Sequence, residues 1–295
     1  MDKTLFDSMI RDIYQNRKPD GIKSDFGKVL IIGGSKPYPL SVCIADKFAS
    51  LSGVGYVSLA VDKSIYQIVA SRVSLTSIFE ISTRDEGIDL SNDTLLKYDS
   101  ILFGNGISIN PIHFDLLKKV LSCGVRNIIL DASALSMIAQ EPGLLFQKHP
   151  DTHVLLTPHL GEAKRILHTD ISSRNPEDYL SEAILFVLKY HVSLLLKSTS
   201  SLLIDEEGNS YSGNQERTPS LGKAGTGDGF AGLLSGLLAY ADSLYSRNDI
   251  ILFSDHLLHQ GALLQEKKHS AGTCDILTCF DEIKEILEEK RERKN

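Results

Sequence analysis

Between Leu221 and Gly232 the chain reads "LGKAGTGDGFAG", a glycine-rich loop with one carboxylate, Asp228, placed where an apolar helical run begins. Gly225 and Gly227 omit the side chains that would keep a ligand off the backbone, so the N–H groups around Thr226 can converge on one anion. A helix starting near Asp228 adds the positive end of its dipole, and phosphate is the natural occupant of such a hole. A carboxylate there repels phosphate unless it has a task of its own. Accepting the proton of a hydroxyl that attacks a terminal phosphoryl group is one such task. The other reading is a first-turn or N-cap acid, a common use of aspartate at a helix start. The loop is not a Walker sequence, because GxxxxGK[ST] is absent, and no GxGxxG follows the first strand.

The elements that must position this loop follow from apolar patterning. Residues 1 to about 17 fit an amphipathic helix with Leu5, Met9, Ile10 and Ile13 on one face, an N-terminal extension reaching about residue 20. From Lys28 onward "KVLIIGG", "YVSLAV", "SILFGNG", "NIILDAS", "HVLLTPH" and "VSLLLKS" alternate with helical stretches. Runs that are apolar throughout predict strands buried on both faces of a parallel sheet, hence a doubly wound α/β fold. "SSLLIDEEGNSYSG" predicts an antiparallel hairpin, and helices are expected over Asp228 to Ala241, about 250 to 267 and about 280 to 293. No linker or repeat divides the chain, so one domain is expected over 1–295. The strands end in "GGS", "GNG", "DAS", "TPH" and "KST", and open α/β sheets bind ligands at that carboxyl edge. Lys197 closes one of them, either as a point charge for phosphate or as a strand-end lysine in solvent.

Composition narrows the partners. Over 295 residues the net charge is −7, with 42% hydrophobic and 23% charged residues and no basic cluster, so neither nucleic acid nor an acidic membrane surface is expected. Apolar runs such as "LLSGLLAY" fall short of a bilayer span, and the N-terminus lacks the apolar stretch of a signal peptide. Cys43, Cys123, Cys274 and Cys279 have no metal-finger spacing and read as reduced thiols of a cytoplasmic protein.

"FGKVLIIGGSKPY", "SGVGYVSLAV", "LLTPHLGEAKRIL", "LLLKS" and "GTGDGFAGLLSGLLA", in that order and spacing, resemble the ADP/ATP-dependent NAD(P)H-hydrate dehydratases of the ribokinase-like superfamily. The resemblance runs from about Lys23 to about Ile286, and the pairing of "TPHxGE" with "GTGD" is its specific part. It implies a ribokinase-like fold, with a mostly parallel central sheet flanked by helices on both faces. It also implies a metabolite-repair lyase: NADH or NADPH hydrated at the nicotinamide ring is phosphorylated on the ring hydroxyl, and the ring nitrogen's electrons then expel phosphate. ADP or ATP would be the phosphoryl donor, with Mg²⁺. A homo-oligomer, commonly a tetramer, and a separate epimerase as functional partner are further implications.

Carried onto this chain, the resemblance makes Asp228 the catalytic base, also touching substrate, and Gly225, Thr226 and Gly227 the anion hole, with Gly227 beside the nucleotide. Lys197, Ser198, Thr199, Ser200 and Ser201 become the nucleotide loop, although the family usually has glycine at Ser198. His159 lines the hydrate pocket. Glu162 orients His159, assists Mg²⁺ or caps the following helix; the metal ligands are left unassigned. Gly34 belongs to the opening loop, and Gly106 and Ser41 to the substrate side. Departures cluster on that side: Leu40 and Ser41 replace a Gly-Ala pair, Asn105 and Ser108 replace proline and glycine of "GPGLG", and "DADALN" becomes "DASALS", retaining Asp131 but placing Ser133 where an acid stands. Two alternatives share Asp228 and its hole: a ribokinase-like kinase of a vitamin-precursor alcohol, and a catalytically weak nucleotide-binding homologue.

Overall fold

The computed structural model describes residues 1–81 and 90–292. Among these, β1 (Lys28–Gly33), β2 (Tyr56–Asp62), β3 (Ser77–Ile81), β4 (Ser100–Phe103), β5 (Asn127–Leu130), β6 (His153–Leu156), β7 (Ser193–Leu196), β8 (Leu202–Ile204) and β9 (Ser210–Ser212) form one sheet. Their order is β3-β2-β1-β4-β5-β6-β7-β8-β9. Pairings from β3 through β7 are parallel, and β8 and β9 are added antiparallel. The α/β expectation and the hairpin are both borne out.

Because successive strand side chains point to opposite faces, a strand apolar at every position feeds two cores. Val29 and Ile31 of β1 enter one core, and Leu30 and Ile32 the other. The first is closed by α1 (Lys3–Ile10), α2 (Ser41–Leu51), α3 (Tyr66–Ala70), α9 (Thr226–Tyr240), α10 (Arg247–Lys268) and α11 (Ile276–Glu292). The second lies under α4 (Asn92–Leu95), α5 (Pro111–Ser122), α6 (Ser133–Gln140), α7 (Leu160–Ile166) and α8 (Leu180–Tyr190). The helix that carries Asp228, α9, packs closely on α2: a Cβ at Gly232 would overlap the Ala45 carbonyl oxygen, so glycine sets the distance between the two helices.

Several boundaries differ from the sequence pattern. The N-terminal helix passes from α1 into a π-helical turn over Arg11–Gln15, and it buries Phe6, Met9, Ile10 and Ile13, while Leu5 stays at the margin. β3 was not foreseen, because "SIFEI" is an edge strand with mixed exposure and lacks a continuous apolar run. α10 begins at Arg247, where the Ser246 hydroxyl accepts from Asp249 N–H, and α11 begins at Ile276. Arg293, the expected end of that last helix, lies outside the described residues.

Candidate functional site

The carboxyl ends of β4, β5, β6 and β7 meet the N-terminus of α9 and bring five side chains into one connected group. α9 starts at Thr226, with Gly225 as its N-cap at φ +89, a conformation that favours glycine; no side chain caps this end. Asp228 is therefore not a cap. Its Oδ1 instead accepts a hydrogen bond of 2.7 Å from Asn105 Nδ2. Asn105, in the loop after β4, is fully buried and also donates to Asp131 Oδ2 at 3.1 Å.

Asp131 follows β5 and is the hub of the group. Its Oδ1 accepts from Lys197 Nζ at 2.7 Å and from Thr157 Oγ1 at 2.8 Å. The next residue, Ala132, has φ +51, a strained value for a residue other than glycine, of the kind that persists where surroundings fix a side-chain direction. A buried carboxylate needs paired donors, and Lys197, Thr157 and Asn105 supply them. A line Lys197–Asp131–Asn105–Asp228 thus runs from the end of β7 to the start of α9.

Electrostatics single out Asp228. Burial pushes its carboxyl up to about 6, the Asp131 charge pushes the same way, and hydrogen bonds from Asn105 and Ser41 together with the Lys197 charge oppose the rise. A carboxylate poised near neutrality can both hold and release a proton. Burial also raises Glu162, with Asp131 adding to the effect and Lys197 and His159 opposing it.

Of the roles open to Glu162, the geometry displays a cap. Its Oε2 accepts from His159 N–H at 3.0 Å while His159 Nδ1 accepts from Glu162 N–H at 3.2 Å, a reciprocal box that starts α7. The ion-pair approach of His159 Nε2 to the same oxygen is 3.5 Å, so the carboxylate also faces the imidazole. His159 is bridged to Lys197 across the strand ends, and Lys197 N–H donates to Pro158 O at 2.8 Å.

A cleft of about 400 Å³ opens on the Lys197 side. His159, Lys197, Ser198, Thr199, Ser201, Thr226 and Gly227 are in its wall, and Phe230 and Leu258 add apolar surface. Ser200 does not line it and is tied to Ser198 within the loop, its N–H donating to Ser198 Oγ at 3.2 Å. Ser201 Oγ donates to buried Asp255 at 2.9 Å. Thr226 Oγ1 is buried with no partner among the described residues, an orphan beside the glycines of the expected anion hole.

Gly34, Gly106 and Ser41 gather on the other flank. Gly34 N–H donates to Asn105 O at 2.8 Å and so fixes the Asn105 loop, Ser35 Oγ donates to Gly106 O at 2.6 Å, and a Cβ at Gly106 would lie 3.0 Å from Ser41 Cβ. Among the other departures, Ser108 O contacts His113 Nδ1 at 2.5 Å, Ser133 opens α6, and Leu40 stays 44% exposed. The bridging role of Asn105 and the Thr157 bond to Asp131 were missed, since nothing in "GNG" or "LLTPH" marks them. Asp255 and His259, which also line the cleft, sit inside a helix whose sequence carries no motif.

Among the described residues no three His, Cys, Asp or Glu side chains converge as a metal cage, and none of the helices is long and apolar enough to cross a membrane.

The NAD(P)H-hydrate dehydratase family model matches residues 29–279. A bifunctional NAD(P)H-hydrate repair enzyme of Moorella thermoacetica is 29% identical over 229 residues, covering 75% of this chain and 42% of the relative; the chain thus spans less than half the length of that relative. An ADP-dependent (S)-NAD(P)H-hydrate dehydratase of Lactiplantibacillus plantarum is 25% identical over 247 residues, covering 82% of this chain and 81% of the relative. In fold, the chain is similar to the ADP/ATP-dependent NAD(P)H-hydrate dehydratase of Bacillus subtilis co-crystallised with ATP/Mg²⁺, with a TM-score of 0.77, 20% identity and coverage of 96% of this chain and 97% of that one.

Proposed function

Since the chain belongs to the NAD(P)H-hydrate dehydratase family, we propose that it restores hydrated NADH and NADPH by nucleotide-dependent dehydration. The observation that carries this reading is a half-buried carboxylate, Asp228, in the first turn of α9, beside the open backbone of Gly225, Thr226 and Gly227. In the proposed first step Asp228 takes the proton of the ring hydroxyl as its oxygen attacks the terminal phosphorus of the nucleotide. The P–O bond to the leaving nucleotide breaks, and the N–H groups at the start of α9 with Lys197 stabilise charge on the transferred group.

Elimination then needs little from the protein. The ring nitrogen's lone pair forms a C=N bond as the C–O bond to phosphate breaks, and loss of a proton from the neighbouring carbon restores the dihydronicotinamide. Phosphorylation has turned hydroxide into a far better leaving group.

The cleft beside Lys197, Ser198, Thr199 and Gly227 is the proposed nucleotide site; Ser41 and Gly106 are proposed to border the hydrate from the other flank, and His159 to reach it from the wall of the nucleotide cleft. ADP is the preferred candidate donor because the Lactiplantibacillus relative is named ADP-dependent. Mg²⁺ is suited to entering on the nucleotide's phosphates, since it commonly keeps water and takes one or two carboxylates at most. When bound, the cation neutralises phosphate charge. The four cysteines are free, in keeping with a proposed cytoplasmic location. Assembly into a homo-oligomer and cooperation with an epimerase remain parts of the proposal.

The test is to incubate the protein with hydrated NADH, Mg²⁺ and ADP or ATP and to follow the dihydronicotinamide absorbance. Recovery is expected with one or both nucleotides. A folded, nucleotide-binding protein that gives no recovery, or that accumulates a stable phosphorylated alcohol, overturns the reading.

A further inference from the structure

We propose that Asn105 is a positioning residue for Asp228, a two-pronged donor that holds the reactive carboxylate in a fixed direction and apart from Asp131. The proposal rests on the reading of Asp228 as the proton acceptor. Three observations carry it.

Both donor contacts of one amide group are used on carboxylates: Nδ2 reaches Asp228 Oδ1 at 2.7 Å and Asp131 Oδ2 at 3.1 Å. Two carboxylates brought to a common neighbour repel each other, and a shared neutral donor separates them without adding a charge that would quench the base. The amide is itself held, because the side chain is fully buried and its backbone oxygen accepts from Gly34 N–H at 2.8 Å. Finally, Asn105 Oδ1 is buried with no partner among the described residues. A buried amide oxygen without a donor is costly, so the orientation of the amide is set by its two carboxylate acceptors and not by a partner for the oxygen.

Asn105 is not the only group acting on Asp228. Asp131 after β5 and Lys197 after β7 act by charge, and Ser41 at the start of α2 by a hydrogen bond; the charges of Lys197 and Asp131 also act on Glu162 of α7. Asn105 differs from these in touching both carboxylates. The chain departs from "GPGLG" at this position, where a proline carries no donor and Asn105 supplies one.

The experiment is a carbon-13 NMR titration of the aspartate carboxyl carbons in the full chain, with the Asp228 resonance assigned by its loss in Asp228→Asn. In the wild type the Asn105 side-chain amide signals should titrate with the Asp228 midpoint. In Asn105→Ala, and in Asn105→Leu, which fills the volume, the midpoint should rise by about one pH unit, the size expected for losing one hydrogen bond to a charged acceptor. The acid limb of turnover should move with it, while the KM for nucleotide stays unchanged. An unmoved midpoint in either folded variant, or amide signals in the wild type that ignore the Asp228 titration, overturns the proposal. Wild-type turnover of the hydrate is measured separately: its absence sinks the dehydratase reading, and the titration still decides the role of Asn105.

Discussion

Lys197 Nζ lies 2.7 Å from Asp131 Oδ1. The lysine that borders the nucleotide cleft is thus anchored on the carboxylate that also raises Asp228. Asp131→Asn removes the anchor and the repulsive charge together. The acid limb of turnover is expected to move to lower pH, opposite in direction to the Asn105 variants, and the KM for nucleotide to rise severalfold as Lys197 loses its fixed position. Steady-state kinetics across pH 5 to 8 read both effects, and an acid limb that moves upward contradicts the electrostatic assignment.

Asp228→Asn should cost turnover at least about a hundredfold, the scale of losing a general base, yet leave the fold intact or firmer. The folded carboxyl is raised above its unfolded value of 3.8 to about 6, so the ionised form costs stability above that range and the cost vanishes as pH falls through it. A neutral amide removes about 1 to 3 kcal/mol of penalty at pH 8. Thermal unfolding at pH 8 checks this; a clearly less stable Asn variant would show that the charge is not a burden.

Two glycines should respond in opposite ways to alanine. At Gly227 a Cβ would meet nothing nearer than Asp131 Oδ2 and Lys197 Nζ, each at 3.8 Å. Gly227→Ala should fold normally, gain up to about 1 kcal/mol from helix propensity, and weaken nucleotide binding because the methyl stands where phosphate approaches. At Gly104, φ is +127 and a Cβ would overlap the Asp131 carbonyl oxygen, so Gly104→Ala should lose stability outright. Unchanged nucleotide affinity in Gly227→Ala, measured by calorimetry, would remove that residue from the binding site.

Acid sensitivity should come in part from His153, far from the cleft lining. Burial, with the Arg247 and Lys148 charges adding to it, lowers the imidazole to about 3, and Nε2 is spent on Ser193 Oγ at 3.0 Å. The folded state binds this proton more weakly than the unfolded chain, whose value is near 6.5. Stability is therefore full above 6.5 and is lost as pH falls from there toward 3. Between pH 7.5 and 5 the loss should be about 2 kcal/mol. His153→Leu should flatten that dependence in urea titrations; an equally steep loss in the variant would assign it elsewhere.

The sequence by itself determined the parallel sheet, the hairpin and the placing of an acid in a glycine-bounded helix start. These are set by local rules: apolar runs bury both faces of a strand, and glycine opens the backbone where it stands. β3 escaped because an edge strand needs no continuous apolar run. The tertiary structure alone decided which groups Asp228 answers to. Asn105 and Asp131 stand 26 residues apart, Asp131 and Lys197 66, and Asn105 and Asp228 123; they meet because β4, β5 and β7 run parallel to one edge of the sheet and α9 starts there. No pattern within a strand or helix encodes a hydrogen bond between loops that distant in sequence. In the one-dimensional pattern Asn105 was one of the departures on the substrate side, and it became a donor to two carboxylates only when the fold put all three side chains together.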